Sequence, residues 1–263
     1  MALFDKFRRK HPPCAEQTQE VGAQPAIPDG TRLYCIGDIH GRADLLDQLH
    51  AMIQADAAGY AGEKQIVYLG DYIDRGADSK RVVDILLQQN LPGFVSTFLL
   101  GNHEQTLLEF LIDPHAMASW LVYGGVAMLQ SYGIEPGLVP SRRDLGRIRD
   151  DLDAALPDSH RKFFEQCTLC HMVGSYYFVH AGIRPGIALD KQLFEDQIWI
   201  RDAFTTSEAD HGVVVVHGHC ISSDAEFRPN RIGIDTGAFN SGVLTALVLE
   251  GTDQRLLQTG LSN

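Results

Sequence analysis

The chain has 263 residues, 44% hydrophobic and 21% charged, which is enough apolar material for a full core in one large domain or a domain with an insertion. Its net charge of −12 argues against a dedicated nucleic-acid binder, which carries a basic footprint, but not against a small anionic substrate held by a metal or a few arginines. Five cysteines at irregular spacing argue against a secreted disulfide framework, and no apolar run reaches the roughly 18 residues of a membrane span.

Residues 1–29 read as a flexible tail with basic residues and prolines, and residues 30–263 as the folded domain. Leu3, Phe4 and Phe7 lie among Lys6, Arg8, Arg9 and Lys10, so no uninterrupted apolar core of a signal peptide is present. The expected location is the cytoplasm. A short surface-tethering helix is the weaker reading of this stretch. The first strand begins near Thr31. Residues 43–57 place Leu45, Leu46, Leu49, Met52 and Ile53 on one helical face. A strand at 66–69, a helix from about Ser79 to Gln89, a strand at 94–100 and a helix from about Glu104 to Ile112 follow. This β-α-β-α-β-α order predicts parallel strands with crossover helices, and a mixed α/β fold class.

From about 115 to 170 no strong strand signal appears. Trp120 to Leu129 and Ser131 to Gly133 suggest helical pieces broken by glycines, and Leu156-Pro157 opens a helix with Phe163 and Phe164 inward. This segment reads as a helical insertion beside the site. Its Arg142, Arg143, Arg147 and Arg149 are balanced by Asp144, Asp150 and Asp151 and read as a solvated face. Cys167 and Cys170 form a C-x-x-C without a second pair and read as small buried thiols. Strands return at 176–179, 213–216 and 232–235, and 243–249 is expected to pair antiparallel.

Three of these strands end alike. Arg32 to Ile36 runs into Gly37-Asp38-Ile39-His40-Gly41, Ile66 to Leu69 into Gly70-Asp71-Tyr72-Ile73-Asp74-Arg75-Gly76, and Val95 to Leu100 into Gly101-Asn102-His103-Glu104. Later strands end at His180 and at His217-Gly218-His219. Buried strands end this way when their carboxyl edge carries chemistry. Five strand ends therefore offer metal-binding side chains: Asp38 with His40, Asp71, Asn102, His180, and His217 or His219. Mixed His, Asp and Asn donors suit manganese, iron or zinc. Residues i and i+2 on an extended tip face the same way, so Asp38 and His40 can reach one ion. Asp71 has two oxygens with which to bridge two ions, a pairing that lowers the pKa of a water and neutralises a phosphate. Singly, each element is ordinary: an Asp after a strand is most often a turn or helix cap, and a lone His a packed or surface residue. The repetition at five strand ends favours the metal reading.

In this order the motifs Gly37-Asp-Ile-His-Gly41, Gly70-Asp-Tyr-Ile-Asp-Arg-Gly76, Gly101-Asn-His-Glu104, His180-Ala-Gly182 and Gly218-His219 resemble the phosphoprotein phosphatase branch of the calcineurin-like metallophosphoesterases, above all its bacterial and phage serine/threonine phosphatases. The resemblance spans about residues 31–250 and is most specific in the first three motifs. It implies a β-sandwich flanked by helices with a dinuclear site at the strand ends. Asp38, His40 and Asp71 would hold one divalent ion, manganese first among the candidates, and Asp71, Asn102, His180 and His219 the other. His219 is preferred to His217 because it directly follows a glycine. The resemblance further implies that His103 is the general acid, oriented by Asp74. Arg75 and Arg201 would grip the phosphate, with Arg184 the weaker alternative to Arg201.

The reaction so implied is hydrolysis of a phosphate monoester on a phosphorylated protein or a small phosphoester, by a hydroxide activated between two metal ions. No Cys nucleophile is needed, and Cys220 is not followed by the C-x5-R loop that one would use. Cys220 also departs from the threonine common at that position in bacterial relatives. A symmetrical dinucleoside polyphosphate hydrolase, or another phosphodiesterase of the same fold, is the alternative. Asp74 and Glu104 favour the phosphatase. A non-catalytic binding protein would be expected to have broken ligands, and none is broken here.

Overall fold

The computed structural model describes residues 24–88, 91–137 and 144–260. Most of the tail expected at 1–29 lies outside the described residues, as do Arg142 and Arg143. Its last residues are held by the fold. Ile27 is buried, its N–H donates to Gly251 O at 3.0 Å, and Ala26 N–H donates to Ser175 Oγ at 3.0 Å.

Among the described residues ten strands form two five-stranded sheets, ordered β10-β9-β1-β2-β3 and β4-β5-β6-β8-β7. In the first, β1 (Thr31–Ile36), β2 (Glu63–Tyr68) and β3 (Phe94–Phe98) are parallel, connected through α1 (Ala43–Asp56) and α2 (Ser79–Gln88). β9 (Thr245–Glu250) pairs antiparallel with β1, as expected, and β10 (Asp253–Gln258) adds an antiparallel edge. In the second sheet β5 (Tyr176–Val179), β6 (Val214–His217) and β8 (Arg231–Gly233) are parallel, flanked by antiparallel β4 (Cys170–Val173) and β7 (Glu226–Phe227).

Strand alternation explains the layers, because successive side chains face opposite sides. Leu33, Cys35, Val67, Leu69, Leu247 and Leu249 of one sheet meet Tyr176, Phe178, Val214, Val216 and Ile232 of the other in one core, so the sheets form a sandwich. The intervening residues Tyr34, Ile36, Ile66, Tyr68, Ala246 and Val248 face the helices, where Leu46, Leu49, Val82 and Phe164 cover them. On the far side Tyr177, Val179 and Val215 pack with Phe204 and Ile200. The fold is a mixed α/β β-sandwich flanked by helices.

The segment after α3 (Asn102–Phe110) forms a 3-10 turn at Ala118–Leu121, then α4 (Gly125–Ser131), α5 (Asp144–Ala155) and α6 (Asp158–Gln166). Phe163 and Phe164 are buried, and Arg147 and Arg149 pair with Asp151 and Asp150. Cys167 is a free buried thiol, so the C-x-x-C pair is not closed on itself. The later helices are short: α7 (Phe194–Trp199), α8 (Asp202–Thr205) and α9 (Ala238–Ser241).

Candidate active site

The carboxyl ends of the parallel strands of both sheets meet at one edge of the sandwich. His180 Nε2 lies 3.5 Å from Asp71 Oδ1, and His219 N–H donates to Asp38 Oδ2 at 3.1 Å, so the second sheet contacts the first through these tips. Two compact donor groups result, His40–Asp71–His103 and Asp71–His180–His219, all buried and sharing Asp71. His40 Nε2 is 3.4 Å and His103 Nε2 3.8 Å from Asp71 Oδ2. Asn102 Oδ1 lies 2.9 Å from His180 Nε2.

The backbone is bent to achieve this. Among the described residues five non-glycine residues have positive φ: His40 (45°), Asp71 (51°), Asp74 (72°), Arg75 (65°) and His219 (61°). All five are sequence-derived site candidates. Left-handed backbone at such residues costs on the order of 1–3 kcal/mol each and persists where the surroundings impose it. At Asp71 the imposing group is Glu104. Its carboxylate accepts from Asp71 N (2.9 Å), Tyr72 N (2.8 Å), Ile73 N (3.2 Å) and Gly101 N (3.1 Å). The same contact to Gly101 caps α3, which starts two residues earlier than the sequence suggests and carries Asn102 and His103 in its first turn. Close approach also demands glycine. A Cβ on Gly101 would lie 2.2 Å from Asp71 Oδ1, and one on Gly218 would lie 2.0 Å from Asp38 Oδ1.

Burial drives the pKa of His40 down to about 3 and of His219 to about 2, and it lowers that of His180. Neutral imidazole is the form that binds a metal. Two of these rings are aimed by their other nitrogen: His40 Nδ1 bonds Ile73 O at 2.8 Å, and His180 Nδ1 bonds Leu69 O at 2.9 Å. Burial opposes ionisation of Asp71, but His180, His103, His40 and His219 together outweigh it and hold that carboxyl well below the usual range. Asp38 is raised by burial, then by Asp235 and Asp71. Asp38 Oδ1 and His219 Nε2 are buried without a hydrogen-bond partner. Orphaned acceptors of this kind, around a two-oxygen bridge, fit divalent cations of borderline softness.

Beside this cluster stands a second unit. His103 Nδ1 is 2.6 Å from Asp74 Oδ2, and Asp74 is fully buried. Burial depresses the pKa of His103, but the Asp71 charge and the Asp74 hydrogen bond outweigh it and lift the group to about 9. Arg75 Nη2 reaches within 3.2 Å of His103 Nε2, and its guanidinium stacks on Phe239 at 4.7 Å. Arg201 is exposed at the start of α8; burial raises the pKa of the Cys220 thiol, next to His219, and the Arg201 charge partly offsets this. Arg184 is engaged elsewhere, its Nε and Nη2 on Asp196 at 2.7 and 2.5 Å. His217 is turned away from Asp71, its ring 5.2 Å from Phe204, and belongs to neither donor group.

Four residues here escaped the sequence reading. Glu104 entered only as a family discriminator, not as the clamp on the Asp71 turn. Asp235 ends the strand run at 232–235 and hydrogen-bonds Gly237 N at 2.9 Å, with Oδ2 unpartnered beside Asp38. A strand-end acid was again the available signal. Trp120 and Phe239 carried no local signal, since their contacts join segments far apart in sequence.

Comparison with known proteins identifies the family. Residues 31–240 match the family model for calcineurin-like phosphoesterases. Asymmetrical bis(5'-nucleosyl)-tetraphosphatases of Bacillus cereus and Bacillus anthracis are 25% and 24% identical over 232 residues, covering 81% of this chain and 88% of each relative. A crystal structure of a candidate diadenosine tetraphosphatase superposes with a TM-score of 0.56 at 20% identity, covering 92% of this chain and 100% of that one. A cold-active protein tyrosine phosphatase gives 0.55 at 16% identity, covering 92% and 87%. These structural likenesses concern the fold. With the family model spanning most of its length, the chain belongs to the calcineurin-like phosphoesterases and is a metallophosphoesterase enzyme.

Proposed function

We propose that the enzyme is a serine/threonine protein phosphatase, hydrolysing phosphate monoesters with poor, alkoxide-type leaving groups. The observation that carries this reading is the buried Asp74–His103 pair, 2.6 Å across, beside the Asp71-centred donor groups. An alkoxide needs a proton as it departs, and an imidazole raised to about 9 arrives carrying one. Asp74 holds the Nδ1 proton and orients the ring, leaving Nε2 toward the cleft. Arg75, preset by its strained backbone and by Phe239, would meet the phosphate oxygens in a forked contact, with Arg201 approaching from the His219 side. Asp38, His40 and Asp71 would hold one divalent ion, and Asp71, Asn102, His180 and His219 the other. Together the ions would lower the pKa of a water and neutralise the phosphate, with manganese the first candidate. A cytoplasmic phosphoprotein is the partner this reading requires.

A second reading is hydrolysis of a dinucleoside tetraphosphate. The tetraphosphatase relatives favour it, and they are of the asymmetrical kind rather than the symmetrical kind weighed from sequence. Trp199, 43% exposed with its ring 6.2 Å from that of His219, offers a face on which a base could stack. Turnover of the manganese-loaded enzyme on a phosphoserine or phosphothreonine peptide, diadenosine tetraphosphate and an aryl phosphodiester, side by side, decides. Preference for the peptide is expected. Preference for the dinucleotide would replace the first reading with the second and leave the donor groups standing.

A further inference from the structure

We propose that Trp120 is a positioning residue for the Asp74–His103 pair, the third member of a buried hydrogen-bonded relay. The inference rests on the reading of His103 as proton donor. Trp120 Nε1–H donates to Asp74 Oδ2 at 2.7 Å, and this is the oxygen that His103 Nδ1 approaches to 2.6 Å. Asp74 Oδ1 has no partner. One carboxylate oxygen thus takes two donors while the other takes none. Rotating the carboxyl would break both bonds, so the indole pins the side chain in the orientation that serves His103.

The indole is itself held. Trp120 is 1% exposed, and its ring sits 4.8 Å from Phe110, at the far end of the helix whose first turn carries His103. Gly125 lies against the indole face, where a Cβ would come within 2.6 Å of Cδ2 and Cε2. The neighbouring Gly124 carbonyl accepts the Arg75 N–H at 3.2 Å. The 3-10 turn and the start of α4 therefore brace, from one side, both the partner of the acid and the backbone of the phosphate arginine. Any buried indole N–H needs an acceptor. Here the acceptor is the carboxylate of the acid–base pair rather than a carbonyl elsewhere in the core.

The test is a double-mutant cycle on the manganese-loaded full chain with Trp120→Phe, His103→Asn and both together, each assayed on a phosphoserine peptide and on p-nitrophenyl phosphate. Trp120→Phe keeps an aromatic ring and removes the N–H. Its kcat on the peptide is expected to fall roughly tenfold to a hundredfold, the span of a hydrogen bond to a charged group, with KM and bound manganese unchanged. The aryl phosphate, whose leaving group needs little protonation, is expected to slow by no more than about threefold. Added to His103→Asn, Trp120→Phe is expected to cost nothing further. Additive losses would overturn the proposal, as would equal Trp120→Phe losses on the two substrates where His103→Asn itself distinguishes them. If His103→Asn alone slows both substrates equally, the general-acid reading fails, and the cycle still scores Trp120: non-additivity upholds its positioning of His103 and additivity ends it. Should Trp120→Phe not fold, Gly125→Ala, which crowds the indole from outside, takes its place in the cycle under the same criteria.

Discussion

At Asp71 one buried carboxylate faces imidazoles on both of its oxygens, and the side chains around it divide into those that present neutral nitrogens and the one that keeps a proton. His40, His180 and His219 are pushed below their ordinary values by burial, and His103 is lifted to about 9 by two carboxylates. The division predicts that His103→Asn retains bound metal yet loses about a hundredfold or more in kcat on a phosphoserine peptide, and far less on an aryl phosphate. Metal analysis beside the two kinetic assays checks it, and equal losses would remove His103 from the acid role. Arg75 stacks on Phe239 and meets His103 Nε2, a geometry that depends on a planar fork. Arg75→Lys is therefore expected to recover little of the activity lost in Arg75→Ala, itself down by roughly a hundredfold or more. Steady-state kinetics of the two variants provides the check, with near-complete rescue by lysine the contrary result.

The elements explain what was legible beforehand. The parallel strands β1, β2, β3, β5 and β6 announce themselves as apolar runs, and each ends on a glycine or histidine motif that the fold carries to one edge. β10, with the sequence Asp-Gln-Arg-Leu-Leu-Gln, escaped because an edge strand facing solvent keeps few apolar positions, and β4 and β7 because they are edge strands of only four and two residues, each folded back on the strand that follows it. Asp38, His40, Asp71 and Asn102 were readable because local turn chemistry encodes them. Trp120 and Phe239 were not, because only tertiary packing brings them to the site. Glycine does at this scale what no ligand residue can do. Gly218 lets the tip of β6 pass against Asp38, where a Cβ would lie 2.0 Å from Oδ1. Gly218→Ala should fold but bind divalent ions at least about tenfold more weakly, as expected when a group supporting the metal ligands is disturbed. Calorimetric titration with manganese reads this directly, and unchanged affinity would show that the β6 tip yields freely.

Across the whole molecule, burying polar groups makes stability depend on pH. His50 on α1 is buried against the Tyr68 hydroxyl, 2.9 Å from Nε2, and burial lowers its pKa to about 4. Above its ordinary value near 6.5 the ring is neutral in both states and contributes no pH dependence. As pH falls through 6.5 the unfolded chain binds a proton that the folded chain refuses until about 4, so this group's contribution to stability declines across that window. His50→Gln, which can still accept from Tyr68, removes that decline. The margin of the native chain over the variant should shrink between pH 7 and pH 5 in urea unfolding, and a constant or growing margin would contradict it. The two sheets and their helices serve to converge strand ends on Asp71, and the most direct test of that claim is to count ions. Measured by elemental analysis after manganese loading, the native chain should hold about two ions and Asp71→Asn fewer than about one, with phosphoesterase turnover lost in parallel. An Asp71→Asn variant that keeps both ions and full turnover, or a native chain that binds none, would contradict the account.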